Sequence, residues 1–203
     1  MVRRRRMVRS YDPSRPVPRA RIEGLLELAV RAPSAGFTQG WEFLILTGGD
    51  VDLYWKVCVA PDGEPPRPPD AWLRGLMSAP ALILPFADRD AYLDRYAEPD
   101  KGWTDRDEAR WPVPYWLTDT AMASLLILLG AVDDGLAGCF FGIPADRVLS
   151  VKQTFRVPAR LQPIGVISLG YPAADRRSPS LKRGRRPVAE VTHWGSFAAD
   201  PPA

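Results

Sequence analysis

The stretch Trp116–Val132 constrains the fold more than any other part of the chain. It is the most apolar segment, broken by Thr118, Asp119, Thr120 and Ser124, and its clean apolar run, Leu125–Leu129, is far too short to cross a bilayer. The pattern therefore predicts a buried helix over Tyr115–Asp133. Around it, short apolar runs read as strands at Phe43–Thr47, Ala81–Ala87, Cys139–Phe141 and Leu161–Leu169. Ile22, Leu25, Leu26 and Ala29 recur at helical spacing behind Pro16 and Pro18, and that helix stops near Ala32, the residue before Pro33. Further helices are predicted from Asp50, over Trp72–Ser78 and Asp90–Tyr96, and over Asp146–Thr154. Helices and strands alternate without the βα rhythm of a doubly wound sheet, which favours an α+β or three-layer arrangement.

A length of 203 residues suits one domain over 1–203. The proline-rich region within 58–71 cannot hold regular structure and is expected to be a mobile loop. The polar, aromatic region 97–114 reads as a second mobile loop of a length usual for a lid, and 198–203 as a disordered tail. With 46% hydrophobic and 25% charged residues the composition is globular. The basic start is followed by Tyr11, Asp12, Pro13 and Pro16 instead of an apolar run, so no secretory signal is expected and the expected location is cytoplasmic.

Chemistry is narrowed first by what is missing. No G-x-G-x-x-G follows a strand, and neither a P-loop, an H-E-x-x-H nor a C-x-x-C pair occurs. Cys58 and Cys139 fit neither a disulfide framework nor metal-ligand spacing, and no metal is expected. The one histidine, His193, has no local partner for nucleophilic catalysis and reads as a surface or packing residue. An enzyme this poor in histidine and cysteine takes its reactivity from a bound cofactor. The net charge of +3 rests on two arginine clusters, Arg3–Arg9 and Arg176–Arg186, whose guanidinium forks match a phosphate.

Four blocks together carry a family resemblance. Arg5-Arg6-Met7-Val8-Arg9-Ser10-Tyr11 resembles the R-R-S-x-R-x-F/Y opening of nitroreductase-like FMN proteins. Ala32-Pro33-Ser34-Ala35-Gly36-Phe37-Thr38-Gln39-Gly40-Trp41 resembles their A-P-S-x-x-N-x-Q-P-W block. Gly135–Gly142 is similar to the G-L-G-x-C-F/W segment after their central helix. Pro163-Ile164-Gly165, Leu169–Pro172 and Arg183–Pro187 resemble their last strand and basic tail. Order and spacing agree from about residue 3 to residue 197. Two departures stand out: Phe37 replaces the usual asparagine, and Gly40 an often-found proline.

The resemblance implies a three-layer α/β/α sandwich around a mostly antiparallel sheet, with the long central helix at a homodimer interface and FMN contacted by both subunits. It implies that Arg5, Arg6, Met7, Arg9, Arg183 and Arg185 hold the flavin phosphate and its ribityl chain. Pro33, Ser34, Ala35, Gly36 and Gln39 would line the ring, and Phe141 and Gly142 would face its N5 edge. Phe37, Trp103, Trp111 and Tyr115 would border the substrate pocket. No side chain need be catalytic, because hydride passes from NAD(P)H through flavin N5 to a nitroaromatic, quinone or enone by a ping-pong reaction. Two other readings compete. One is an enzyme of the same fold that uses a deazaflavin or dehydrogenates a secondary metabolite. The other is a nucleic-acid-binding module built on the arginine clusters, with steep salt dependence.

Overall fold

The computed structural model describes residues 1–59, 68–174 and 178–197. The predicted tail 198–203 and most of the proline-rich loop, 60–67, lie outside them. Eleven helices and strands are described: α1 (Arg19–Ala29), β1 (Trp41–Thr47), α2 (Gly49–Val59), α3 (Ala71–Met77), β2 (Ala81–Asp88), α4 (Arg89–Ala97), α5 (Tyr115–Asp133), β3 (Ala137–Phe141), α6 (Val148–Thr154), β4 (Leu161–Pro163) and β5 (Val166–Gly170). Short 3-10 turns link several of them.

The sheet runs β1-β2-β5-β3, with β4 extending the pairing of β2, and every pairing among the described residues is antiparallel. β2 explains why there are three layers. All eight of its residues are buried, and they alternate between two cores. Leu82, Leu84 and Phe86 face α2, α3 and α6, whereas Ala81 and Ile83 face α1 and α5. A strand buried on both faces needs helices on both faces.

Besides shifts of one to three residues at several element ends, three differences from the sequence reading change a loop or a strand. Cys58 and Val59 complete the last turn of α2, and Ala97 that of α4, so both predicted loops start later. Leu161–Leu169 is two strands. β5 pairs with β2 through Ile83↔Ile167, yet β4 pairs with it through Phe86↔Pro163, a register slip of one residue. The slip lies opposite Pro85, which has no N–H to give, and one extra residue in the partner strand makes a bulge. Gly165 sits at that bulge because a Cβ there would lie 2.5 Å from the Phe140 ring.

α5 matches its predicted bounds. Its full 19 residues are long and apolar enough to span a bilayer by those measures alone, although the clean run within it is short. Nine of them are buried, including Asp119, Thr120 and Ser124, and the helix packs on α1 and across the sheet.

Candidate functional site

The N-terminal segment closes the β3 edge of the sheet. Val8 N–H donates to Gly138 O at 3.2 Å, and the Phe140 N–H points at the Met7 sulfur at 3.5 Å. Buried Tyr11 anchors the segment, donating its hydroxyl to Val8 O at 2.6 Å and sharing a bond with Ser168 Oγ at 2.8 Å. On the other side Gly75 of α3 rests against the Arg9 carbonyl. Held in this way, Arg5 is half-buried, and its Nη1 is fully buried with no hydrogen-bond partner. A buried guanidinium N–H without an acceptor is costly, and it is the donor that a phosphate oxygen would satisfy. Arg6 is exposed and Arg9 half-buried.

Beyond β5 the chain leaves beside this segment, with Pro172 opposite Tyr11 and Ala173 N–H donating to Ser10 O at 3.1 Å. Arg183 and Arg185 lie farther along, both exposed. His193 is exposed as well and packs on Phe197 with ring centres 4.2 Å apart.

The small-residue turn is built elsewhere. Gly36, Phe37 and Gln39 have φ of 62°, 54° and 55°. Ser34 Oγ accepts from Gln39 N–H at 3.0 Å, and Thr38 Oγ1 donates to Ala35 O at 2.6 Å. Asp119 of α5 accepts from Ala35 N–H at 2.8 Å, and Arg95 of α4 donates to Gly36 O at 3.0 Å. Pro33 and Gln39 are exposed, and Phe37 is 78% exposed. Trp41 is buried in the core.

α5 measures the distance between the two blocks. Asp119 holds the turn, while Asp133 at the far end of the helix pairs with Arg4 at 3.7 Å. Fourteen residues at about 1.5 Å each put roughly 21 Å between those ends. Within one chain, then, Arg4 and the turn stand toward opposite ends of α5.

The fold can now be set beside known proteins. The nitroreductase family model matches residues 2–171, and a 4-nitrobenzoate reductase from Nocardioides sp. is 31% identical over 93% of this chain and 85% of that protein. The chain belongs to the nitroreductase family. A Methanothermobacter thermautotrophicus protein, provisionally named NADH dehydrogenase/NAD(P)H nitroreductase, is 27% identical over 86% of this chain and 76% of its own. Among solved structures, a nitroreductase-type protein from Desulfovibrio desulfuricans in complex with FMN superposes with a TM-score of 0.69 at 22% identity, over 97% of this chain and 95% of that one. By family, this chain is an oxidoreductase.

In this chain β3 ends at a cavity. Phe141, half-buried, stacks on Trp55 with ring centres 5.8 Å apart, and exposed Gly142 has open space where a Cβ would be. Both line a cavity of about 410 Å³ whose walls include Tyr54, Cys58, Asp70 and Trp72. Burial pushes the Cys58 thiol up, against the opposing pull of the Tyr54 hydrogen bond, so it stays a neutral thiol. Sequence reasoning had not found this wall. Tyr54, Trp55 and Cys58 form an i, i+1, i+4 group on a short apolar helix, a pattern that signals only core.

Trp103, Trp111 and Tyr115 lie in one cluster of rings. Trp111 is the hub of a ring cluster that includes Tyr92, Tyr96, Trp103, Tyr115 and Trp116, with centroids 4.5–6.1 Å apart. Arg89–Glu108, Arg106–Asp94 and Arg110–Asp105 ion pairs tie down the same loop. The cluster borders the turn, since Tyr96 lies where a Gly36 Cβ would be.

Proposed function

We propose that this protein is a homodimeric FMN-dependent oxidoreductase that carries hydride from NAD(P)H to a planar organic acceptor. The observation that carries the reading is the buried, unpartnered Nη1 of Arg5 in the segment bonded to β3. It is a phosphate donor without its acceptor. When bound, FMN supplies a ring that takes hydride from a nicotinamide and gives it to an acceptor in turn. Arg5, Arg6 and Arg9, with Met7 beside them and Arg183 and Arg185 from the tail, would hold the phosphate end. The backbone of Phe141–Gly142 would meet the ring edge, where the missing Gly142 side chain leaves room.

Along α5 roughly 21 Å separates the end that pairs with Arg4 from the end that holds the Pro33–Gln39 turn, which supports a site shared by two copies, the turn of one closing on the flavin of the other. Phe37, exposed on that turn, and the Trp103, Trp111 and Tyr115 cluster beside it would then border the partner's acceptor pocket. The outer face of α5 supports the same arrangement, since it presents Tyr115, Met122 and Leu125 to solvent, with Leu125 46% exposed. Leu125→Glu is expected to convert a dimer into a monomer in light scattering and to lose flavin with it. A dimeric, yellow Leu125→Glu protein would remove α5 from the interface.

The cavity at Gly142 favours a particular acceptor. Its walls carry the Tyr54, Trp55, Trp72 and Phe141 rings and the Asp70 carboxylate, and no described lining residue is Lys or Arg. Rings suit a flat acceptor, and a lone carboxylate disfavours an anionic one. Purified protein should be yellow, bleach with NADH or NADPH under nitrogen, and recolour with acceptor. Methyl 4-nitrobenzoate should be used at least tenfold better in kcat/KM than 4-nitrobenzoate. A colourless protein that takes up no added FMN would overturn the cofactor reading, and equal use of the ester and the acid the acceptor reading.

A further inference from the structure

We propose that Asp119 is a positioning residue that sets the geometry of the Pro33–Gln39 turn, and through it the fit of the flavin. The role in flavin binding rests on the function proposed above; the role in the turn does not.

Three residues of this turn, Gly36, Phe37 and Gln39, have positive φ, and two of them carry side chains that disfavour it. Such backbone persists only where its surroundings over-determine it. Here the determination comes from outside the turn. Asp119 is 1% exposed in the second turn of the most apolar helix, where an acidic side chain is otherwise a liability. One of its oxygens, Oδ2, accepts both the Ala35 N–H and the Tyr92 hydroxyl, each at 2.8 Å. Its other oxygen, Oδ1, faces the Thr118 hydroxyl at 3.2 Å. Burial first, and the hydrogen bond to Asp119 second, push the Tyr92 phenol far up, so it remains a donor.

Asp119 therefore joins α5, α4 and the turn at one atom. Tyr92 and Tyr96 leave no freedom beside that joint. A Cβ on Gly40 would meet the Tyr92 ring at 2.5 Å, and one on Gly36 the Tyr96 ring at 2.8 Å. Arg95 takes the Gly36 carbonyl from the same side and is itself held by Glu98 and Asp100. With both its N–H and its next carbonyl bound from one side, the turn presents its opposite side, with exposed Phe37, outward.

What Oδ2 does here needs an acceptor and no charge. An asparagine can place its amide oxygen at the same point and donate its NH2 to Thr118 Oγ1, whereas alanine leaves the part-buried Ala35 N–H and the buried Tyr92 hydroxyl unpaired. The test measures amide hydrogen exchange of the peptide covering 33–41 in flavin-free protein, and FMN affinity by titration, for wild type, Asp119→Ala and Asp119→Asn. Asp119→Ala should exchange that peptide at least tenfold faster and bind FMN at least tenfold more weakly. Asp119→Asn should stay within about threefold of wild type in both. Unchanged exchange in Asp119→Ala, or an Asp119→Asn protein as impaired as the alanine variant, would overturn the assignment. Should Asp119→Ala not fold, Asp119→Leu keeps the bulk without an acceptor, and a turn peptide exchanging no faster than wild type would overturn the assignment equally. If the wild-type protein takes up no FMN, the flavin reading falls, and the exchange measurement alone decides the role of Asp119.

Discussion

Arg5→Ala is expected to cost the protein its hold on FMN while leaving its weaker binding of riboflavin nearly unchanged. Riboflavin carries the same ring and ribityl chain without the phosphate, so the pair isolates the group that Arg5 is proposed to meet. A hydrogen bond to a charged group contributes about 1.5–3 kcal/mol, which corresponds to a loss of roughly 10- to 150-fold in affinity. A bidentate guanidinium–phosphate contact lies toward the upper end. The flavin-free protein should respond in the opposite direction. Nη1 of Arg5 is buried without a partner, so truncation removes an unmet desolvation cost, and the variant should melt no lower than wild type. Arg5→Lys keeps the charge but not the fork, and should fall between the two. Calorimetric titration of flavin-free protein with both flavins reads all of this. Equal losses for FMN and riboflavin would place Arg5 at the ring or the chain's packing instead of the phosphate.

The sequence made some of this plain and hid the rest for definite reasons. α5 was legible to the residue because Pro114 precedes it, Asp134 and Gly135 follow it, and no other segment is so apolar. Pattern shows what is buried; it does not show pairing, and for that reason the bulge at Gly165 was missed. Its cause, Pro85, lies eighty residues away on another strand. Arg5 and the Ser34–Gly36 turn were visible through the family resemblance. The length of α5 between Arg4 and that turn was not, since motifs in a sequence carry no statement of how far apart the fold sets them. In the sequence Asp119 reads only as an interruption of an apolar helix. A polar residue at one point of a buried face has the same pattern whether it is tolerated or is the acceptor for two donors, and Ala35 and Tyr92 are distant in sequence from it.

Two glycine-to-alanine changes should move stability in opposite directions, although each removes a glycine from a helix. Helix propensity alone favours alanine at both by about 1 kcal/mol. At Gly24 in α1 nothing lies within 4 Å of a built Cβ, so the propensity gain should appear undiminished, as a melting temperature about 2–4 °C higher for a chain of this size. At Gly75 in α3 the Cβ would overlap the Arg9 carbonyl oxygen and stand 3.1 Å from its carbon. Those are backbone atoms of a segment already fixed by Val8 and Tyr11 on its other side, so no side-chain rotation can relieve the overlap. Overpacking of this kind costs about 1–3 kcal/mol or more, which exceeds the propensity gain, and Gly75→Ala should melt lower than wild type. The same displacement moves Arg9 and its neighbours away from β3, so flavin affinity should fall with stability in Gly75→Ala and stay level in Gly24→Ala. A Gly75→Ala protein as stable and as yellow as wild type would mean that α3 does not seat the N-terminal segment, and the phosphate end of the site would have to be sought elsewhere.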